Sequence, residues 1–308
     1  MLPTHHFTRR GFIQTSSALA LSLTGLPAFA KEMKSPKLAF STLGCPDWTL
    51  QQIVDFAVKH DFTGIEVRGL LRQMDLPQCK EFSQENIPAT LRLLNDRGLK
   101  FINLGSGATL HFSDPAIRKK NIDDGKRFID LASKLNCPFV RVFPNNFPKE
   151  QTKSQSMELM AKGMLELAEF AKGSDVTVLL ETHGDLLYIE DLVQVMQACE
   201  HKHTGLVWDM TNMWVKTKES PALAYTKLKK YIHHTHIKNA RLVDDKLVYT
   251  RMAQGEVPIF EMIDALMHGG YDGYYSFEWE KMWHPELEEP ELAIADYAKV
   301  MKDYFQKQ

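Results

Sequence analysis

The stretch Val178-Leu-Leu-Glu181-Thr-His183-Gly-Asp185 decides how the chain is read. An apolar run, Val176 to Leu180, breaks off into a carboxylate, a hydroxyl, an imidazole, a glycine and a second carboxylate. A strand buried on both faces of a parallel sheet reads as a near-continuous apolar run. Titratable residues where it stops suit a site built at the strand's carboxyl end. Alone, a glutamate there is more often a cap or a surface charge. Three later stretches that end the same way give it weight.

Outward from this run, strand and helix patterns alternate. Upstream lie strand patterns at Leu38–Leu43, Gly64–Arg68, Leu99–Leu104 and Phe139–Phe143. Helical patterns separate them at Thr49–His60, Gln84–Arg97, Asp114–Leu135 and Ser154–Lys172, with Asp114-Pro115 as a cap followed by proline at the first helical position. The methionines of Ser154–Lys172 fall on one apolar stripe, which is core spacing. Downstream come a helix at Ile189–Ala198, a strand at Thr204–Trp208, a helix at Pro221–Lys230 and a strand at Ile232–Ile237. A hairpin over Leu242–Val248 turns at Asp244-Asp245; a helix at Ile259–His268, a strand at Gly273–Phe277 and a helix at Glu288–Phe305 close the chain. Eight strand–helix pairs imply a parallel sheet. Over residues 37–308 they predict one α/β domain, a (β/α)8 TIM barrel, which typically takes about 250 residues. A doubly wound open sheet is the alternative, but no G-x-G-x-x-G opens the chain.

Four successive strand ends carry candidate metal ligands: Glu181, Asp209 in Leu206-Val-Trp-Asp-Met-Thr-Asn212, His236 in Thr235-His-Ile-Lys238, and Glu278 in Ser276-Phe-Glu-Trp-Glu-Lys281. They are 28, 27 and 42 residues apart, one strand–helix repeat twice and then a repeat lengthened by the hairpin. In a barrel these ends converge on the carboxyl-end face. Each has a plain reading: Asp209 as a helix cap, Glu278 as a surface charge, His236 as a structural histidine. Alternation places His234 and His236 on one side of their strand and His233 on the other. Three carboxylates and an imidazole form an oxygen-rich set suited to one divalent ion, Mn first, with Mg, Co or Zn as alternatives. Three unpartnered carboxylates would repel one another, so a bound cation is expected.

Composition is that of a globular protein: 308 residues, 44% hydrophobic and 25% charged, with net charge −2. Nothing in it points to nucleic acid or an anionic membrane. Residues 1–30 stand apart. Thr8-Arg9-Arg10-Gly11-Phe12-Ile13-Gln14 is a twin-arginine pattern, followed by an apolar Ser16–Phe29 and Ala28-Phe29-Ala30. This order predicts a cleaved Tat-type signal peptide, hence the Tat export machinery as a partner and a periplasmic destination. The apolar part is shorter than the roughly 20 residues of a spanning helix. Cleavage would take the charge to −4, since the segment holds two arginines and no acid. Residues 31–36 read as a linker. Cys45, Cys79, Cys137 and Cys199 form no C-x-x-C motif, and no bridge is predicted.

The four strand ends, with Leu43-Gly-Cys-Pro-Asp-Trp48 and Gly64-Ile-Glu-Val-Arg68, make the chain resemble the xylose isomerase-like TIM barrels, the group of sugar isomerases and epimerases, in an exported bacterial branch. The resemblance spans essentially all of 37–308. It implies a metal held by Glu181, Asp209, His236 and Glu278, with Glu181 and Glu278 also transferring protons. It departs from many epimerases after strand six, where D-x-x-H is replaced by Asp209-Met-Thr-Asn212. Asn212 can hydrogen-bond a hydroxyl but cannot act as acid or base.

The expected chemistry is proton abstraction next to a carbonyl of a non-phosphorylated sugar or keto-sugar, giving isomerisation or epimerisation. His183, Asn212, Lys238, Glu66, Arg68 and His111 are the candidate substrate contacts, and Trp48, Trp208, Trp279 and Trp283 candidate apolar walls. The same site could instead serve a lyase or hydratase acting on keto-sugars or 3-keto-glycosides. An endonuclease or a non-catalytic sugar-binding module is a more distant alternative. The oligomeric state, including a homo-oligomer, is left open.

Overall fold

Why the chain closes on itself follows from its strands. The computed structural model describes residues 35–244 and 246–308; the predicted signal peptide and most of the 31–36 linker lie outside the described residues, as does Asp245. The barrel strands are β1 (Leu38–Ser41), β2 (Gly64–Val67), β3 (Lys100–Gly105), β4 (Phe139–Val142), β5 (Thr177–Glu181), β6 (Thr204–Asp209), β7 (Ile232–Ile237) and β10 (Tyr275–Phe277). They are parallel and form a closed ring in the order β1-β10-β7-β6-β5-β4-β3-β2. Pairing of Leu38 with Tyr275 and of Ala39 with Ser276 seals the ring and excludes the open doubly wound sheet. A hairpin of β8 (Asn239–Val243) and β9 (Lys246–Thr250) stands outside the barrel sheet. It is longer than the sequence pattern suggests, and Asp244 enters its turn at φ 49°.

The helices are α1 (Leu50–Lys59), α2 (Ile87–Asn95), α3 (Pro115–Lys134), α4 (Lys153–Phe170), α5 (Ile189–Ala198), α6 (Met210–Thr217), α7 (Pro221–Leu228), α8 (Ile259–His268) and α9 (Pro290–Phe305). Their starts are chemically marked. Thr49 with Gln52 and Thr152 with Gln155 form capping boxes on α1 and α4. Asp114 accepts from the Ala116 and Ile117 amides ahead of α3, whose first residue is Pro115. The outward faces of the strands (Phe40, Ile65, Val140, Val178, Leu206, Phe277) pack on helix residues such as Ile53, Ile129, Leu192 and Ile294 in one cluster. Met157, Met160 and Met164 belong to it, as their spacing on α4 predicts.

The helix after β6 is the main departure from the sequence reading. Asp209 does not wait for the helix at Pro221; α6 begins at the next residue, and Asp209 caps it by accepting the Asn212 amide. Register then sets the site. Glu181 pairs with Val207 and Asp209 with His236. His236 pairs with Ser276, two residues before Glu278. Four successive strands thus bring their ends together, with Asp209 and His236 in direct register and Glu181 and Glu278 each two residues off it. Pro36–Lys307 form one compact unit. Cys45, Cys79, Cys137 and Cys199 are all buried free thiols.

Candidate active site

Inside the barrel, polar side chains stand among apolar ones such as Leu179 and Val207. Glu66 from β2, Arg141 from β4, His234 and His236 from β7 and Ser276 from β10 are all buried. One donor atom from each of Glu181, Asp209, His236 and Glu278 lies within 4.8 Å of the others. His236 Nδ1 is the hub: Glu278 Oε1 is 3.4 Å away, Glu181 Oε1 3.5 Å and Asp209 Oδ2 3.7 Å. These contacts are too long for hydrogen bonds, and Nδ1 has no hydrogen-bond partner.

The other face of the ring explains this. His236 Nε2 lies 2.9 Å from Glu66 Oε1. A carboxylate only accepts, so Nε2 carries the proton and Nδ1 presents a lone pair to three carboxylates. Glu66 is fully occupied, with its second oxygen 2.7 Å from His234 Nε2 and 2.9 Å from Ser276 Oγ. Burial opposes its charge, but His236 and His234 hold the carboxyl well below its usual range.

A lone pair facing three anions is repulsive unless a cation stands between them or Nδ1 takes a proton. Burial works against charge on His236, yet Glu278, Glu66 and Glu181 raise its basicity well above that of an ordinary histidine. A divalent ion would replace that proton and give every donor a partner. The set therefore fits a divalent cation held by Glu181, Asp209, His236 and Glu278.

The carboxylates are nonetheless not unpartnered, as the sequence reading supposed. Arg141 Nε stands 3.0 Å from Glu181 Oε2. Lys238 Nζ stands 2.8 Å from Asp209, 2.6 Å from Glu278 and 2.7 Å from Glu280. The two partnerships differ in effect. Burial alone would raise Glu181, but Arg141 and His236 hold it well below the ordinary range. Burial pushes Glu278 up to about 7, Glu280 and Glu181 add to the rise, and His236 and Lys238 oppose it.

A pocket of about 260 Å³ opens on this cluster, lined by Arg68, Arg141, Glu181, His183, Glu278 and Glu280 among others. Of the predicted substrate contacts, Arg68, His183 and Asn212 reach its wall. His183 is turned by a bond from its Nδ1 to Pro144 O at 3.1 Å. Gly184 beside it adopts φ 60°, and a Cβ there would sit 2.6 Å from the Asn145 backbone.

Three predicted contacts do not line the pocket. Glu66 lies beneath the site, hydrogen-bonded to His236. Lys238 is buried behind the wall, engaged by carboxylates. His111 is buried against Phe112 and Phe147 and does not line the pocket. Of the tryptophans only Trp283 lines it, 51% exposed; Trp208 and Trp279 are core. The sequence reading passed over Arg141, Glu280, Tyr249 and Asn145. Arg141 was visible as a charge in the middle of an apolar strand, Phe139-Val-Arg-Val-Phe143.

The family model of xylose isomerase-like TIM barrels matches residues 54–304. The chain belongs to that family. Among relatives, an inosose isomerase from Halalkalibacterium halodurans is 24% identical over 266 residues, 81% of this chain and 88% of that one. Solved xylose isomerase-like barrels superpose closely. The IOLI protein with a binding zinc atom matches with TM-score 0.76 and 18% identity, covering 88% of this chain and 98% of that one. The probable 3-DHS dehydratase AsbF of Bacillus anthracis, involved in petrobactin synthesis, matches with TM-score 0.72 and 18% identity over 86% and 98%. The protein is an enzyme of a group that holds metal-dependent sugar isomerases, epimerases and dehydratases.

Proposed function

We propose that the enzyme isomerises or epimerises a non-phosphorylated sugar or cyclic keto-polyol by moving a proton next to its carbonyl. One observation carries this reading. Of the four clustered donors, only Glu181 and Glu278 open on the pocket, while Asp209 and His236 are shut behind them. The two carboxylates that can touch a substrate are therefore the pair needed to remove and return a proton. A divalent ion held by Glu181, Asp209, His236 and Glu278, Mn by our choice, would polarise the substrate carbonyl and offset the charge that develops on its oxygen.

The chain's own residues do the rest. Arg141 keeps Glu181 ionised and fixes its orientation. Lys238 anchors Glu278 beside Glu280. One glutamate takes the proton from carbon, and the other delivers one to the neighbouring carbon or to the opposite face of the same carbon. Arg68, His183 and Asn212 supply hydrogen-bonding groups at the wall, and Trp283 an aromatic face.

The test is exchange in D2O. Metal-loaded protein incubated with inososes, ketohexoses and the corresponding sugar acids should introduce deuterium next to the carbonyl, seen by NMR, and Glu181→Gln or Glu278→Gln should abolish it. A parent protein that exchanges no proton in any of these would sink the reading.

A second reading has its own support. Glu280 is a third carboxyl group on the pocket wall. It could give a proton to a departing hydroxyl, so that the enolate loses water and an unsaturated ketone forms; one solved structural neighbour is a probable dehydratase. Ultraviolet absorption of an enone in the same incubations would mark this course.

We further propose that residues 1–30 direct Tat export to the periplasm, on the strength of Arg9-Arg10 and the apolar segment after them. Replacing both arginines by lysine should retain the protein in the cytoplasmic fraction; unchanged periplasmic recovery would refute it.

A further inference from the structure

Three long cations surround the site, and they are not equivalent. Lys238 is paired with Asp209, Glu278 and Glu280, and Arg141 with Glu181. Arg68 has no carboxylate at ion-pair distance among the described residues. Its guanidinium makes one hydrogen bond, from Nη1 to the Gly105 carbonyl at 3.3 Å, and lines the pocket.

Arg68 also stands beside a like charge. A Cβ at Gly105 would lie 2.6 Å from Arg68 Cδ and 3.4 Å from Arg141 Nη2, so the two side chains pass over one backbone position. Gly105 makes room for both. Burial and the neighbouring Arg141 push the Arg68 guanidinium down to about 9, and Glu181, Glu278 and Glu66, none of them at ion-pair distance, offset this only in part. A poorly hydrated, unpaired cation next to another cation is costly unless something supplies the counter-charge.

We infer that the substrate carries a carboxylate and that Arg68 binds it, making a sugar acid or a carboxylated cyclic polyol the substrate class. This rests on the pocket being the substrate site, as proposed above. A hydroxyl could accept one bond from Arg68 but brings no charge. A phosphate dianion would exceed the single unpaired positive charge and crowd Glu278 and Glu280. A carboxylate matches the planar guanidinium fork in both charge and shape.

Calorimetric titration of the metal-loaded full-length chain with matched pairs tests this: D-glucuronate against D-glucose, D-galacturonate against D-galactose, and the two hexose 6-phosphates as a third arm. Each uronate should bind about ten- to hundredfold more tightly than its hexose, the worth of a charge-assisted bond. The gap should vanish in Arg68→Gln and survive in part in Arg68→Lys, which keeps the charge and guards against a variant that does not fold. Equal binding within the pairs, a gap that persists in Arg68→Gln, or no binding of either uronate overturns the inference. Tighter binding of the phosphates than of the uronates overturns the choice of carboxylate. The experiment needs no turnover: a uronate preference without deuterium exchange keeps this inference and rejects the reaction, and exchange on neutral ketoses without a uronate preference does the reverse.

Discussion

Glu66→Gln isolates what the layer beneath the site contributes. Glu66 accepts three hydrogen bonds, from His236, His234 and Ser276, and is fully buried. A glutamine has one acceptor oxygen and one donor group. If its NH2 faces His236, the imidazole must move its proton to Nδ1, and the lone pair aimed at Glu181, Asp209 and Glu278 is lost. If its NH2 faces His234 instead, His236 keeps its tautomer. The His234 proton then moves to Nδ1, which is buried and has no partner. An orphaned buried donor costs about 1–3 kcal/mol. With an ion bound, the second arrangement spares the site and should prevail. His236 still loses an ionised acceptor, which makes it a poorer ligand; losses of this kind weaken metal binding by roughly 10–100-fold. The expected result is Mn affinity down about tenfold, with about 1–3 kcal/mol lost from the metal-loaded protein. Titration followed by Mn electron paramagnetic resonance reads the first and urea unfolding the second. Affinity within about twofold of the parent would show that the charge on Glu66 does not strengthen His236 as a ligand, since an ionised partner should be worth several times that.

Other perturbations separate roles that share residues. Lys238→Met leaves Asp209, Glu278 and Glu280 without their common cation, so the metal-free protein should lose about 3–5 kcal/mol in urea unfolding; a loss under about 1 kcal/mol would contradict the pairing seen here. Asp209→Asn keeps an oxygen to cap α6 but removes the charge that would hold the metal and that pairs with Lys238, so metal affinity should collapse and the metal-free melting temperature should also fall. Asp209→Ala should lose about 0.5–2 kcal/mol more, and equal melting of the two variants would deny the cap. Trp283→Ala should raise KM about two- to tenfold without changing stability, the scale of one aromatic contact on a half-exposed ring; an unchanged KM would remove Trp283 from the substrate wall.

The barrel was legible because its signals are local. Apolar runs, capping residues and the Asp114-Pro115 start each act within a few residues, and strands alternated with helices throughout. The four strand ends were legible for a related reason: a fixed repeat turns sequence spacing into angular position around the ring. The roles of Glu66, Lys238 and His111 were not. Each sits near a strand end or loop like a substrate contact, but which way it faces depends on partners 40 or more residues away, such as His236 for Glu66 and Gln151 for the His111 carbonyl. The α6 helix was missed because its cap is also a site residue. Asp209 was read as a ligand, and Met210–Thr217 is only eight residues long, about two turns.

The expectation of a cation began from carboxylate repulsion, and the structure moves that argument to a different atom. Glu181, Asp209 and Glu278 each have a side-chain cation beside them, Arg141 or Lys238. Repulsion among them is thereby reduced, although Glu181 and Glu280 still raise Glu278. The demand comes from His236. Its Nε2 proton is claimed by Glu66, which leaves an aprotic Nδ1 surrounded by oxygens that also have only lone pairs to offer. Hydrogen bonding cannot resolve a donor set of this kind; only a cation or an added proton can. The same arrangement limits how tightly an ion is held. Arg141 and Lys238 draw on the electron density that an ion would use, so a bound ion competes with two fixed charges. The charges that keep the site assembled also hold Glu181 and Glu278 in place at the pocket.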